Sequence, residues 1–286
     1  MKHLFALLAL SGLPCLARAQ APAKTCPYDS AHFSWRKPVP RDRLRELQPD
    51  RPGITESPFT VDAGHFQLEM DALRLINSGS GAEERRREWH LAYSTLKLGL
   101  SRRTDLQLEL PLYSVAKQQP ADPAAGRERR AGFGDVTVRL KHNFVGDDQL
   151  GHFALAVIGY ARLPTGGPGG SGSVEYGAVL PVDIELTDNL NLEAQVEAEL
   201  DYDREATQRY VLMVPSLAFE YDFNKHLGLL AEGVAQWNTA QRRWQPSVNV
   251  APLIKVNPNF QLDFGTHLAL NRLSDHEYFV GMTLRR

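Results

Sequence analysis

From Gly64 to the C-terminus, apolar and polar residues alternate with a period of two in run after run. The cleanest run sets Leu190, Leu192, Ala194, Val196, Ala198, Leu200 and Tyr202 against Asn191, Glu193, Gln195, Glu197, Glu199 and Asp201. A period of two belongs to an extended strand, whose successive side chains point to opposite faces. Leu106, Leu108, Leu110 and Leu112 alternate with Gln107 and Glu109, and Val136, Val138 and Leu140 with Asp135, Thr137, Arg139 and Lys141. Phe260, Leu262 and Phe264 stand against Gln261 and Asp263, and Trp244, Val248 and Val250 against Gln245 and Asn249. About twelve such runs occur, at 64–76, 89–100, 105–114, 133–144, 152–163, 174–186, 190–203, 209–223, 227–238, 243–256, 260–270 and 276–286. Most are ten residues or longer, whereas strands of soluble proteins average about 5–6. A strand crossing a bilayer at a tilt needs roughly 9–11.

Hydrocarbon offers no partner to a peptide group, so strands survive there only in a closed sheet, with one face toward lipid and the other toward the lumen. The pattern therefore predicts an all-β fold, a transmembrane antiparallel β-barrel of about 12 strands. A soluble β-sandwich also alternates. Its strands are shorter, and its outer face has no reason to hold rows such as Glu193, Glu197 and Glu199 throughout.

The connections alternate as well. Ser101–Thr104, Gly146–Gly151, Thr187–Asn189, Asn224–His226 and Asn257–Asn259 read as tight turns. Asn77–Glu88, Val115–Ala131, Pro164–Ser173 and Arg204–Gln208 follow odd strands and are mostly longer. Short turns on one rim and long loops on the other fit an outer-membrane barrel. Trp89, Tyr113, Tyr176, Tyr202, Tyr210, Trp237, Trp244 and Tyr278 fall at loop ends, and Phe144, Phe153, Tyr221, Phe223 and Phe260 at turn ends. These are the two aromatic girdles of a membrane interface.

Upstream, Met1-Lys2-His3, the apolar run Leu4–Leu10 and Ala17-Arg18-Ala19 predict a cleaved export signal over 1–19. The apolar run is far short of the ~20 residues of a spanning helix. The chain carries 32 basic and 34 acidic residues. Cleavage removes Lys2 and Arg18, so the net charge goes from −2 to −4, which gives no reason to expect nucleic acid. A mean hydropathy of −0.33 excludes a bundle of membrane helices. Cys26 is then the only cysteine, so no internal disulfide forms. Residues 20–58 hold seven prolines and read as an irregular segment, periplasmic or inserted in the pore, with the barrel over 59–286.

Two features resist the pattern. Pro111, Pro181, Pro215, Pro246 and Pro252 lie inside expected strands, where each removes a ladder donor, so bulges or strand ends are expected there. The chain also ends Thr283-Leu284-Arg285-Arg286, without a terminal aromatic residue.

Arg51-Pro52-Gly53-Ile54-Thr55-Glu56-Ser57-Pro58-Phe59-Thr60-Val61-Asp62-Ala63-Gly64-His65-Phe66-Gln67-Leu68-Glu69 resembles the opening motif of the outer-membrane transporter family of the "MetA-pathway of phenol degradation" type. Gly132-Phe133-Gly134-Asp135-Val136 and Ala161-Arg162-Leu163-Pro164-Thr165-Gly166 add to the resemblance, which spans roughly 50–286. It implies an outer-membrane barrel of a Gram-negative-type envelope that passes small, aromatic or apolar molecules. It brings no catalytic residues, and the C-terminus departs from it.

The inward rows are the functional candidates. Glu175, Asp183, Glu185, Glu193, Glu197, Glu199 and Asp201 form an acidic wall on the sixth and seventh runs, with Arg139, Lys141, Lys255 and Arg285 as basic counterparts. Such an arrangement sets up a transverse field that orients dipolar solutes and tunes ion preference. Pairing across the lumen would instead fill the barrel. Two readings therefore stand: a porin-like channel, monomeric or trimeric, and an envelope-structural or surface-binding barrel with a filled lumen. Arg85-Arg86-Arg87 and Arg127, Arg129 and Arg130, expected in outer loops, suit lipopolysaccharide phosphates or plain solvation. Gly166-Gly167-Pro168-Gly169-Gly170-Ser171-Gly172 lacks a following Lys-Ser/Thr and reads as a flexible loop.

No His-Glu-x-x-His or Gly-x-Ser-x-Gly occurs, and no histidine of the strand runs has Ser two positions on, as a lipid-modifying barrel enzyme would need. No catalytic residue, metal or cofactor is expected. His90 and His142 read as ordinary strand positions and His267 as a lumen group. Expected partners are outer-membrane lipids, lipopolysaccharide and small solutes.

Overall fold

In a computed structural model, the described residues are 32–78, 85–119, 126–147, 151–167, 170–204 and 206–286. The expected signal at 1–19, residues 20–31 and Cys26 lie outside them. Thirteen strands form one sheet: β1 (Phe66–Ser78), β2 (Arg85–Ser101), β3 (Thr104–Gln119), β4 (Glu128–Gly132), β5 (Val136–Val145), β6 (Phe153–Leu163) and β7 (Glu175–Thr187). β8 (Leu190–Asp203), β9 (Gln208–Asn224), β10 (Leu227–Asn238), β11 (Arg243–Asn257), β12 (Phe260–Ala269) and β13 (His276–Arg285) complete it. Each pairs antiparallel with its neighbours, and β1 pairs with β13, so the ring closes. β4 and β5 lie end to end along β3 in one register and count as one stave, which makes a barrel of twelve. No helix among the described residues is long and apolar enough to cross a membrane.

The barrel is apolar outside and polar inside. On β5, Val138 and Leu140 are exposed while Thr137, Arg139, Lys141 and Asn143 are buried. On β12, Leu262 and Phe264 face outward, and Gln261 and Asp263 are buried inward. In water this would invert the hydrophobic driving force; with hydrocarbon around the ring it is the expected arrangement. Tyr113, Tyr176, Trp244 and Tyr278 stand exposed toward the loop rim, and Phe144, Phe153, Tyr221 and Phe223 toward the turn rim.

The structure corrects several expectations. Strands run through the prolines. Pro111, Pro181, Pro215, Pro246 and Pro252 pair with Tyr93, Gln195, Val196, Ala235 and Leu229 on one side. A residue in an antiparallel ladder directs its N–H to one neighbour only, so a proline costs a rung on that side alone. Thus the β6–β7 ladder steps from Leu155↔Val182 to Ile158↔Val179 past Pro181, and β9–β10 likewise skips Pro215.

Pro111 has the largest effect. Between Glu109↔Thr137 and Ser114↔Gly132 the ladder is interrupted, and Phe133-Gly134-Asp135 separate β4 from β5. Gly134 N–H donates to the Pro111 carbonyl at 3.0 Å, and a Cβ at Gly134 would stand 2.7 Å from the proline ring. The run expected over 133–144 is therefore shortened to β5, from Val136, and β4 forms in what was expected to be the end of the Val115–Ala131 loop. Arg86 and Arg87, expected in a loop, lie in β2, and Arg129 and Arg130 lie in β4. The last strand stands as counted, since Arg285 pairs with Gln67 and Arg286 exchanges backbone hydrogen bonds with Phe66.

Val196, in the middle of β8, is 48% exposed on the lipid face. We expect Val196→Lys to destabilise the barrel by about 2–4 kcal/mol in reversible unfolding from lipid vesicles, the cost of a midplane cation.

Candidate functional site

The polar inner wall encloses the chain's own N-terminal segment. Residues 45–63 bond to the wall at several levels, and the boundary expected at 58/59 moves to Phe66, where β1 begins. Gly99 makes the insertion possible. Ala63 bridges it in parallel, Gly64 N–H donates to its carbonyl at 2.8 Å, and a Cβ there would collide with the Asp62 carbonyl.

Asp50 lies between two buried lysines, with Lys97 Nζ at 2.5 Å and Lys141 Nζ at 2.6 Å. Lys97 also pairs with Glu69. Burial alone would push the Asp50 carboxyl up, but Lys141 and Lys97 outweigh it and hold the group below the ordinary carboxylate range. Arg51 forks onto Asp263 (2.5 and 3.0 Å) and reaches Asp71 at 2.7 Å. The guanidinium rests on Gly281, where a Cβ would overlap it. The Glu232 carboxylate accepts the backbone N–H groups of Ile54 (3.0 Å) and Thr55 (2.5 Å) and the Thr55 hydroxyl. Glu56 joins Arg139, which also holds Glu109. Nearer the turn rim, Arg45 holds Asp62 at 2.8 Å, and Arg285 reaches Asp62 at 3.2 Å. Each residue from Asp50 to Ser57 except Pro52 and Gly53 takes part in at least one of these hydrogen bonds or in the Lys141–Ser57 carbonyl contact at 2.7 Å.

On the loop side of this segment lies a cavity of about 550 Å³, with Asp50–Ile54 and Glu56 as its floor. Three wall arginines stand in it, each clamped by carboxylates. Arg74 pairs with Asp71 (2.8 Å) and Glu277 (2.6 Å), Arg139 with Glu109 and Glu56, and Arg162 with Glu175 (2.9 Å) and Glu199 (2.6 Å). Tyr160 donates to Glu197 at 2.6 Å. Ile76, Leu212 and Val214 supply an apolar patch. Eight carboxylates and four arginines line the space, so its charge is negative.

The sequence candidates separate into groups. Glu197 and Glu199 line the cavity, while Glu175 and Asp201 join Glu199 around Arg162 at the loop end. Arg139 lines it too, but it and Lys141 bind the inserted segment rather than the acidic wall, whose counter-ion is Arg162 on β6. Asp183 and Glu193 are opposed cross-strand partners, both buried. Glu185 lies 3.3 Å from His152 at the turn end, and Lys255 pairs with Asp222 (2.7 Å) and Glu220 (3.4 Å).

Several site residues are not among the candidates drawn from the sequence: Glu69, Asp71, Arg74, Lys97, Glu109, Arg162, Glu232, Asp263 and Glu277. The parity that marked the acidic wall also puts most of them inward. His90, read as an ordinary strand position, lines the cavity and bonds Glu88 at 2.9 Å; His267 is buried in the lumen. Among the described residues, Glu175, Glu199 and Asp201 have metal-ligand spacing, but Arg162 already supplies their cation.

The family described as a putative MetA-pathway of phenol degradation matches residues 49–274. The fold is similar to the COG4313 outer membrane channel from Pseudomonas putida F1, at 12% identity and a TM-score of 0.60, covering 82% of this chain and 99% of that one. The translocator domain of the autotransporter NalP from Neisseria meningitidis is similar at 10% identity and a TM-score of 0.50, covering 83% and 90%. The Ralstonia pickettii toluene transporter TbuX aligns at 9% identity and a TM-score of 0.44, covering 85% and 98%. No curated protein matches the chain.

Removing one partner of a buried ion pair costs about 3–5 kcal/mol. Asp50→Asn is therefore expected to release residues 45–60, read as faster amide hydrogen exchange there while the strand amides keep their protection. The wild-type Asp50 value is lowered on folding, so its contribution is complete above about pH 4 and is lost as pH falls through the lowered value. Measured against the intrinsic rate at each pH, the protection of residues 50–57 should fall on acidification in the wild type and fall less in Asp50→Asn.

Proposed function

The chain belongs to the family described as a putative MetA-pathway of phenol degradation, and from that membership we propose that it is an outer-membrane channel for small molecules. Its passage is narrowed by its own residues 45–63. The observation that supports this most strongly is the 550 Å³ cavity opening on the loop side and floored by Asp50–Ile54. That volume lies within the range of small-molecule sites. The loop rim faces the cell exterior and the turn rim the periplasm, so solutes enter through the cavity and meet the inserted segment last.

The lining favours one class of solute. Tyr93, Tyr160, Ile76, Leu212 and Val214 give aromatic and apolar contact, and the clamped arginines and carboxylates give hydrogen-bonding partners. A neutral ring with a polar substituent satisfies both. A carboxylate anion meets eight carboxylates against four arginines and the two lysines on Asp50 and Glu69, and is disfavoured. The alternative, a structural barrel with a filled lumen, rests on the same ion pairs and differs in conductance.

In planar bilayers we expect small but measurable single-channel conductance with a preference for potassium over chloride across a salt gradient. Removing residues 20–57 should raise it several-fold by widening the pore. A silent barrel in both forms supports the filled-lumen reading; anion preference refutes the charge reading. In liposome swelling, neutral phenols should enter faster than benzoates.

A further inference from the structure

Beside the wall break, the outer face of β2, β3 and β4 carries three cations in one row. Arg87 pairs across the ladder with Lys117, and Lys117 with Arg129. Like charges directly opposite each other destabilise a sheet. Near this row the same strands place carboxylates on the inner face, where Glu88 takes Arg86 (2.6 Å) and His90 (2.9 Å), and Glu128 takes Arg130 (3.3 Å). Among the described residues, no carboxylate lies within ion-pair distance of Arg87, Lys117 or Arg129; Arg87 donates to the neutral Asn77 side chain at 3.0 Å. Three cations are thus held side by side with no counter-ion among the described residues.

Directly below this row, toward the membrane middle, Trp89 pairs with Val115 in the ladder, followed by Leu91 with Tyr113. Lys117 Nζ stands 5.0 Å over the Trp89 ring and the Arg87 guanidinium 6.0 Å over it, which fixes both cations above the indole. Trp89, Leu91, Val115, Lys117 and Arg129 line one outward groove of about 510 Å³. Its floor is apolar and its upper edge cationic. An indole at the level where apolar residues give way to charged ones marks the membrane interface.

We propose that this groove is a binding site for a phosphorylated lipid of the leaflet at the loop rim. The phosphate is held by Arg87, Lys117 and Arg129, and an acyl chain lies along Trp89, Leu91 and Val115. Arginine forks match phosphate oxygens bidentately. The bound phosphate relieves the repulsion along the row and caps the sheet beside its weakest ladder, the β3–β4/β5 interruption at Pro111. The site is independent of the solute path, because it lies on the opposite face of the wall.

The test uses the full mature protein in neutral detergent, titrated with diphosphoryl lipid A, chemically dephosphorylated lipid A and inorganic phosphate, with bound lipid counted by native mass spectrometry. Diphosphoryl lipid A should bind and raise the thermal midpoint, and dephosphorylated lipid should bind on the order of tenfold more weakly, for the loss of charge-assisted bonds. Lys117→Gln/Arg129→Gln should lose the same factor, whereas the inner-face change Arg130→Gln should not. Equal binding of the two lipids, or full affinity in the double variant, overturns the proposal. So does complete competition by millimolar inorganic phosphate, which would make the row a site for free phosphate. Circular dichroism of the double variant checks that it has folded, and Lys117→Arg, which keeps the charge, should restore binding.

Discussion

A peptide group without a partner is too costly to leave in hydrocarbon, and each main feature of this molecule answers to that constraint. The ring closes through β1 and β13 because an open edge would strand a row of donors and acceptors in lipid. Once closed, the ring has an inside and an outside, and a period-two sequence must give one class of residue to each. The prolines show how far the constraint bends. Each removes a single donor toward one neighbour, and the ladder resumes beyond it. At Pro111 the interruption is longest, and other groups take over: Gly134 N–H bonds back to the Pro111 carbonyl, and Val136 N–H finds the Thr165 hydroxyl at 2.9 Å.

Closure creates the second problem, which is the lumen. Twelve staves enclose more space than their own side chains fill, and those side chains are charged. Buried ions are tolerated where each is paired and hydrogen-bonded. The inserted segment supplies those partners: Asp50 for Lys97 and Lys141, Glu56 for Arg139, Arg51 for Asp71 and Asp263. Backbone donors at Ile54 and Thr55 satisfy Glu232 without any cation. The segment and the wall thus complete one another, and the space left over on the loop side is the cavity.

Much of this was legible in the sequence, for a definite reason. Alternation over ten or more residues has one structural meaning, so runs such as 190–203 and 227–238 coincide with β8 and β10 to the residue. The extensions of β2 and β3 past the expected ends were not legible, because Arg85–Arg87 and Lys117–Gln119 carry no apolar alternation once the strands leave the membrane. The split at Phe133-Gly134-Asp135 was hidden because it depends on Pro111 in the neighbouring strand. The acidic wall was read from parity alone, but its counter-ion, Arg162, lies on an adjacent strand, and only register shows that. The motif around Arg51–Asp62 stood out as a pattern before its purpose was visible, since its partners are up to 223 residues away in sequence.

The narrowed lumen depends on where that motif sits in the assembled protein. Thr55 Oγ1 and Ser216 Oγ lie 2.7 Å apart, one on the inserted segment and one on the inner face of β9. With Cys26 replaced by Ser, a Thr55→Cys/Ser216→Cys pair can be oxidised in native outer membranes and the linkage read by peptide mass spectrometry. Near-complete disulfide cross-linking between these two positions in folded, heat-modifiable protein is the predicted result. Folded protein whose two thiols stay free and react separately with a small alkylating reagent would contradict it.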